Sequence, residues 1–386
     1  MVIKAIRTVV VNAEMRNWVF VKVETDEAIT GWGEASLEWH TLGVVGAVED
    51  LAHFLVGEDP CRIEHLYQVM TRQGFWRSGV IGMSAISGIE MACWDILGKS
   101  LGRPVHQLLG GRVRERIRMY DHLGGGEMAS LYLNTTIDEF TERARRSIAD
   151  GYTAVKVLIV PVGEPLEHAS TIRQAAKLME ALRLALGEEV DIMVDFHGRT
   201  TPAGAIRYIE ALTPFAPYFI EEPCPPENVA GMAQVARATS VPIATGERLV
   251  TRFQFRELFE SAACAVAQPD ICHAGGFWEV RKIAALAESH YVSIAPHNPL
   301  GPIATAAAVQ LDLVLPNFLI QEAIRSDVPW RDEVVTNSLH ASGGYIEPPD
   351  LPGLGVEVDE QAAALHPYRP EKQMRYFHQD GAVADW

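Results

Sequence analysis

Six short apolar runs in the second half of the chain each close on an acid or a histidine, at nearly constant spacing. They read VDIMVDFH, PYFIEEP, VPIATGE, CAVAQPD, VSIAPH and NFLIQE, and place Asp195, Glu221, Glu247, Asp270, His297 and Glu322 at intervals of 26, 26, 23, 27 and 25 residues. Such an interval holds one strand, one helix and two loops. A succession of these units winds into a parallel α/β barrel with right-handed crossovers, and functional side chains belong at the carboxyl ends of its strands. The spacing therefore predicts six strand ends converging on one mouth.

The rest of the chain leaves room for more than a barrel. With 386 residues, 48% of them hydrophobic, it can hold a barrel of about 250 residues and a smaller domain. Lys and Arg number 33 against 50 Asp and Glu, a formal charge of -17, which argues against a nucleic-acid or acidic-membrane partner. Five cysteines, Cys61, Cys93, Cys224, Cys264 and Cys272, lack paired CxxC spacing. Reduced cytoplasmic thiols fit them better than a disulfide framework or a zinc cage. The opening MVIKAIRTVVVNA reads as a strand without the marks of a signal peptide, and no apolar stretch reads as long enough to span a bilayer. The expectation is a soluble, cytoplasmic protein.

Residues 1 to about 115 form a first unit. VFVKVET alternates apolar and polar positions before the turn-rich AITGWGEAS, the pattern of antiparallel strands with one covered face. IEHLYQVMTRQGF and MSAISGIEMACWDILGKSLG then carry apolar residues three and four apart. These runs predict a three-stranded sheet with a small helical bundle. The barrel is expected over 116–325, where strand-like runs alternate with helices such as TIDEFTERARRSIADG and TIRQAAKLMEALRLALG. From 326 to 386 the Gly- and Pro-rich text is expected to return to the first unit and close over the mouth.

Asp195, Glu221 and Glu247 on consecutive strand ends supply what a hard divalent cation such as magnesium takes, three oxygens with positions left for water and substrate. Taken singly, each acid could instead cap the helix that follows it. His197 lies two residues beyond Asp195, so on an extended strand both side chains point the same way. Asp270 and His297 end neighbouring strands, and a carboxylate that orients an imidazole raises its basicity, which makes His297 a candidate general base. His122, His273 and His290 read as structural. A cation beside a base suits removal of the weakly acidic proton next to a carboxylate, with the cation stabilising the enediolate. Glu322, if protonated, could donate a hydrogen bond to that intermediate; a plainer reading pairs it with Arg325 or another arginine.

These residues resemble the enolase superfamily in its mandelate racemase subgroup, and most closely the galactonate and related sugar-acid dehydratases. The resemblance runs nearly end to end, through GWGEAS, MSAISGIEMACWDILGK, VDFHGR, FIEEP, ATGER, QPDICHAGG, APHNPLGPIA, QE and HQDGAVADW. It implies a (β/α)7β barrel with an N-terminal α+β capping domain completed by the C-terminal segment. One Mg2+ per subunit would be held by Asp195, Glu221 and Glu247. His297 with Asp270 would be the base, His197 the acid that protonates a departing hydroxyl, and Glu322 the support for the enolate. The implied reaction takes a proton from C2 of an aldonate and loses the C3 hydroxyl to give a 2-keto-3-deoxy sugar acid. The implied assembly is a homo-oligomer acting on a small molecule.

One departure from the subgroup concerns AVKVLIV. Racemases carry KxK and galactonate dehydratases KxN on this strand, whereas Lys156 is followed two residues on by Leu158. This argues against racemisation by a lysine and histidine pair and leaves Lys156 to bind carboxylate or hold a salt bridge. Substrate contacts are expected from Lys156, Arg199, Trp76 and Glu38, with Trp39, His40, Arg77 and Arg248 nearby. Alternative readings are an epimerase or cycloisomerase sharing the enediolate, and an enolase-like scaffold without activity.

Overall fold

The computed structural model describes residues 1–123, 136–324, 327–348, 350–372, 375–378 and 380–385. Arg325 and the expected boundary at 325–326 thus lie outside the described residues, as does Trp386 of the terminal motif. The chain opens with antiparallel strands β1 (Ile3–Ala13), β2 (Arg16–Thr25) and β3 (Thr30–Glu34), paired in that order. Helices α1 (Thr41–Leu55), α2 (Ile63–Arg72), α3 (Val80–Leu101) and α4 (Val105–Leu108) follow. Gly102 ends α3 in the left-handed region at φ 63°, the usual glycine stop.

GWGE explains how the sheet meets the helix. A Cβ on Gly33 would lie 1.9 Å from the Gly88 carbonyl oxygen, and one on Gly31 2.1 Å from that of Ala92. Two side-chain-free positions, one turn of β-pleat apart, therefore let β3 rest directly on the α3 backbone. Helix α3 corrects one expectation, because its 22 residues are apolar and long enough to cross a bilayer by length and composition. In its most apolar window, 78% is buried inside the protein, and the helix serves as the core of this domain.

The barrel alternates β4 (Ile117–His122), α5 (Ile137–Ala149), β5 (Ala154–Val157), α6 (Ala169–Leu186), β6 (Asp191–Asp195), α7 (Pro202–Leu212), β7 (Ile220–Glu221) and α8 (Val229–Arg237). It continues with β8 (Ile243–Thr245), α9 (Thr251–Glu260), β9 (Val266–Ala267), α10 (Gly276–Ser289), β10 (Ser293–Ile294), α11 (Pro302–Asp312) and β11 (Gln321–Ala323). All eight strands are parallel, in the order β10-β9-β8-β7-β6-β5-β4-β11. The ring closes where Ile294 N donates to the Asn317 carbonyl at 2.8 Å and Leu319 N to the Ile294 carbonyl at 2.7 Å. Among the described residues, eight parallel strands and seven intervening α-helices make the expected (β/α)7β barrel.

One apolar layer fills the barrel, with one residue in or beside each strand: Tyr120, Ala154, Met193, Phe219, Ala244, Val266, Ala295 and Ile320. Side chains of a strand repeat with period two. Two positions further toward the carboxyl ends stand His122, Lys156, Asp195, Glu221, Gly246, Gln268, His297 and Glu322. A polar tier thus sits on an apolar plug, set by the same alternation in every strand.

Strands β12 (Val335–Thr336), β13 (Tyr345–Ile346) and β14 (Glu357–Val358) and helix α12 (Glu360–Ala363) follow the barrel. β13 pairs with β4, and the segment then joins the first domain through Val105 N to Gly353 O at 3.0 Å and Asn12 N to His366 O at 2.8 Å. Buried acids fasten the remaining seam. Glu34 of β3 accepts from Gly301 N and Ala304 N, both at 2.8 Å, at the start of α11. Glu90 of α3 accepts from Phe277 N and Trp278 N at 2.8 and 2.9 Å at the start of α10, and from the indole Nε1 of Trp94 in its own helix at 2.8 Å. Each supplies acceptors to amides that have no partner within their own helix, where the helix dipole favours an anion.

Candidate active site

The polar tier opens into a cavity of about 680 Å³ at the carboxyl ends of the strands. His122, Lys156, Asp195, His197, Glu247, His297 and Glu322 line it from the barrel, and Arg16, Glu38 and Trp39 from the capping domain. Glu221 lies behind this wall, fully buried. The structure thus brings seven of the expected site residues to the wall, with Asp270 and Glu221 directly behind.

His297 Nδ1 and Asp270 Oδ2 are 2.8 Å apart, and Asp270 Oδ1 accepts from Cys272 N at 2.6 Å. Asp270 is therefore held from its own turn and fixes the imidazole, which donates through Nδ1 and presents Nε2 to the cavity, 3.7 Å from Glu247 Oε2. Burial disfavours the charged imidazole, but Glu247, Asp270 and Glu322 outweigh it and raise its pKa to about 10.

Lys156 occupies the centre of the acids. Its Nζ is 2.8 Å from Glu221 Oε1, 2.7 Å from Glu322 Oε1 and 3.8 Å from Asp195 Oδ2. Burial opposes its charge, yet Glu221 and Glu322 keep it protonated. This state is the salt bridge of the two roles expected for Lys156. It also corrects the picture of Glu322 as a protonated donor. Burial would raise its pKa, but Lys156, His297 and His122 pull it down to about 2, and Asn298 N donates to its Oε2 at 3.0 Å.

Asp195 and Glu247 face the opposite situation. Burial first, and then Glu221, push Asp195 up to about 7. Burial, with Glu222 and Asp195, outweighs His297 and holds Glu247 well above the carboxylate range. Glu221 Oε2 is buried without a hydrogen-bond partner. Among the described residues, no three His, Cys, Asp or Glu side chains converge tightly enough to hold an ion as they stand. The donors are nevertheless all carboxylate oxygens, one of them orphaned and the others destabilised by like charge, which fits a hard divalent cation.

Several sequence-based placements change. β6 ends at Asp195, and His197 turns into the left-handed region at φ 55°, its N donating to Asp195 Oδ1 at 2.7 Å. The extended-strand argument for His197 fails, although the turn still delivers it to the cavity. Trp76 is 86% exposed and away from the cavity. Arg199 borders a neighbouring cavity of about 500 Å³ and donates to the Val160 carbonyl at 3.2 Å. Glu38 reaches the wall, 2.8 Å from Arg16 Nη1. Arg248 also lines the cavity, but it pairs with Glu222 at 3.1 Å and not with Glu247.

Two histidines read as structural, His122 and His273, are on the cavity wall. His122 carried a usable signal, since IRMYDH ends a strand as the six counted runs do. His273 gave none, because DICHAGG has no strand rhythm. His290 is exposed and is not part of the cavity wall.

Residues 2–110 match the mandelate racemase/muconate lactonizing enzyme N-terminal domain, and residues 139–362 the enolase C-terminal domain-like family. The chain belongs to the mandelate racemase/muconate lactonizing enzyme family of the enolase superfamily. It is 41% identical to the D-galactonate dehydratase of Ralstonia nicotianae and 39% identical to that of Xanthomonas oryzae pv. oryzae, covering 96% of each chain in both cases. Among solved structures, it is similar to a mandelate racemase/muconate lactonizing enzyme from Jannaschia sp. at TM-score 0.89 and 34% identity, over 96% of this chain and 99% of that one. A member of the enolase superfamily from Salmonella Typhimurium matches at TM-score 0.89 and 31% identity, over 95% and 98%. The chain thus groups with the sugar-acid dehydratases, hydro-lyases of that superfamily.

Proposed function

We propose that this protein dehydrates a sugar acid of the galactonate kind to a 2-keto-3-deoxy sugar acid with magnesium. The observation that carries the reading is the His297–Asp270 pair at 2.8 Å, in the cavity that His197, Asp195 and Glu247 also line. Asp195, Glu221 and Glu247 would hold the ion, and bound magnesium would supply positive charge where a substrate carboxylate gains electron density.

Once its Nε2 is free of the proton that the neighbouring Glu247, Asp270 and Glu322 carboxylates favour there, His297 takes the proton from C2 while Asp270 keeps the ring oriented and stabilises its charge. As the C2–C3 double bond forms, the C3–O bond breaks, and His197 gives its proton to the departing hydroxyl so that water leaves. The enol then becomes the 2-keto acid. Lys156 offers a fixed positive charge beside Glu221 and Glu322, suited to orienting the substrate carboxylate when the acids are otherwise engaged.

A panel of aldonates incubated with magnesium tests this reading. Formation of a 2-keto-3-deoxy acid supports it; exchange of the C2 hydrogen with deuterium and no keto product would indicate epimerisation, and inertness would indicate a scaffold. His297→Asn should abolish C2 exchange, while His197→Asn should keep exchange and lose dehydration. Exchange that survives His297→Asn refutes the assignment of the base.

A further inference from the structure

We propose that His273 accepts a hydrogen bond from a hydroxyl of the substrate's polyol portion, in a tautomer fixed by Ser84 of the capping domain. The substrate class rests on the dehydratase reading; the tautomer rests on geometry alone. Ser84 is fully buried in the first turns of α3. Its Oγ lies 2.8 Å from the Val80 carbonyl oxygen and 2.9 Å from His273 Nδ1. Ser84 gives its single hydroxyl hydrogen to that carbonyl, the back-bond a helical serine makes to the residue four before it. Ser84 Oγ is left as an acceptor, and the imidazole must donate to it through Nδ1.

A neutral imidazole that donates through Nδ1 has a bare lone pair on Nε2. Burial lowers the pKa of His273 and favours this neutral form. Nε2 stands 3.6 Å from Asp270 Oδ2, which already receives Nδ1 of His297 at 2.8 Å. Two acceptors therefore face one another with no hydrogen between them, on a residue that borders the cavity. Among the described residues, no donor reaches this Nε2. A substrate carboxylate has none and would be repelled by Asp270, whereas a hydroxyl has a hydrogen for Nε2. His273 thus reads the hydroxylated end of a sugar acid, and the capping domain sets how it does so.

Two measurements on the full-length protein test the proposal. In long-range nitrogen–proton spectra of histidine-labelled protein, with His273 assigned by its loss in His273→Gln, wild type should show protonated Nδ1 and bare Nε2. Ser84→Ala should shift His273 toward the other tautomer. Protonated Nε2 in wild type overturns the proposal. The second measurement compares sugar acids with their monodeoxy analogues, read as kcat/KM, or as Kd for a compound bound without turnover.

One deoxy analogue should cost the wild type about tenfold or more, while His273→Phe loses about as much on the parent compound and no more on that analogue. His273→Gln, which keeps an acceptor, should recover part of the discrimination. Losses that multiply independently for every analogue overturn the proposal. If the wild type turns over no sugar acid, the dehydratase reading falls, and the tautomer and Kd comparisons still decide the role of His273.

Discussion

Two groups of buried acids in this protein have opposite surroundings. At the domain seam, Glu34 and Glu90 each accept two or more amide hydrogens at helix starts. At the mouth, Asp195, Glu221 and Glu247 face one another, with Lys156 beside two of them and Glu221 Oε2 unpartnered. Burying charge costs several kcal/mol unless it is paired and hydrogen-bonded. The seam meets that condition within the fold, and its acids join domains. The mouth does not, which fits the role proposed for its acids as ligands of a cation.

The sharpest break of this contrast is Glu221→Gln. It should lower kcat/KM by about 10³-fold or more while thermal unfolding in the absence of metal shifts by only about 3 °C or less. A large fall in stability without metal would place Glu221 with the seam. The reverse pattern is expected of Glu90→Ala, which strands three donors. It should cost about 3 kcal/mol in denaturant unfolding, with the kcat of the folded fraction close to wild type.

Magnesium should separate the groups again. Chelation should abolish turnover, readdition should restore it, and metal at about a hundred times its Kd should stabilise the fold by about 2.7 kcal/mol. Calorimetry should find that stabilisation lost in Glu221→Gln and retained in Glu90→Ala.

The contrast also extends to pH. Burial pushes Glu90 from 4.5 up to about 8 despite its three donors, so between those values the folded state binds more protons than the unfolded one. Its contribution to stability is present in full below 4.5 and is lost progressively as pH rises toward 8. Unfolding curves at pH 5 and 8 should show this slope in wild type and lose it in Glu90→Gln.

Much of the mouth was legible because period-two alternation and the 23–27-residue interval put one polar residue at each strand end. Asp195, Glu221, His297 and Glu322 all followed that rule, and His122 would have; Glu247 and Asp270 fit the interval but lie one and two residues past the tier positions Gly246 and Gln268. His197 needed a different signal, since Asp195 accepts the amide two residues on and bends the chain out of the strand. Trp76 and Arg199 were placed by nearness in sequence, which does not decide nearness across a barrel. The seam was hidden for the same reason, as Glu34 meets Gly301 across 267 residues and Glu90 meets Phe277 across 187.

The contact of Gly31 and Gly33 with the α3 backbone bears on how the mouth is shaped. With no side-chain cushion between strand and helix, the two cannot slide without carbonyls colliding, and Glu34 anchors the end of that strand to α11. Strand and helix are therefore locked in one register, and Leu37, Glu38 and Trp39, which follow that strand to the cavity wall, take their position from it.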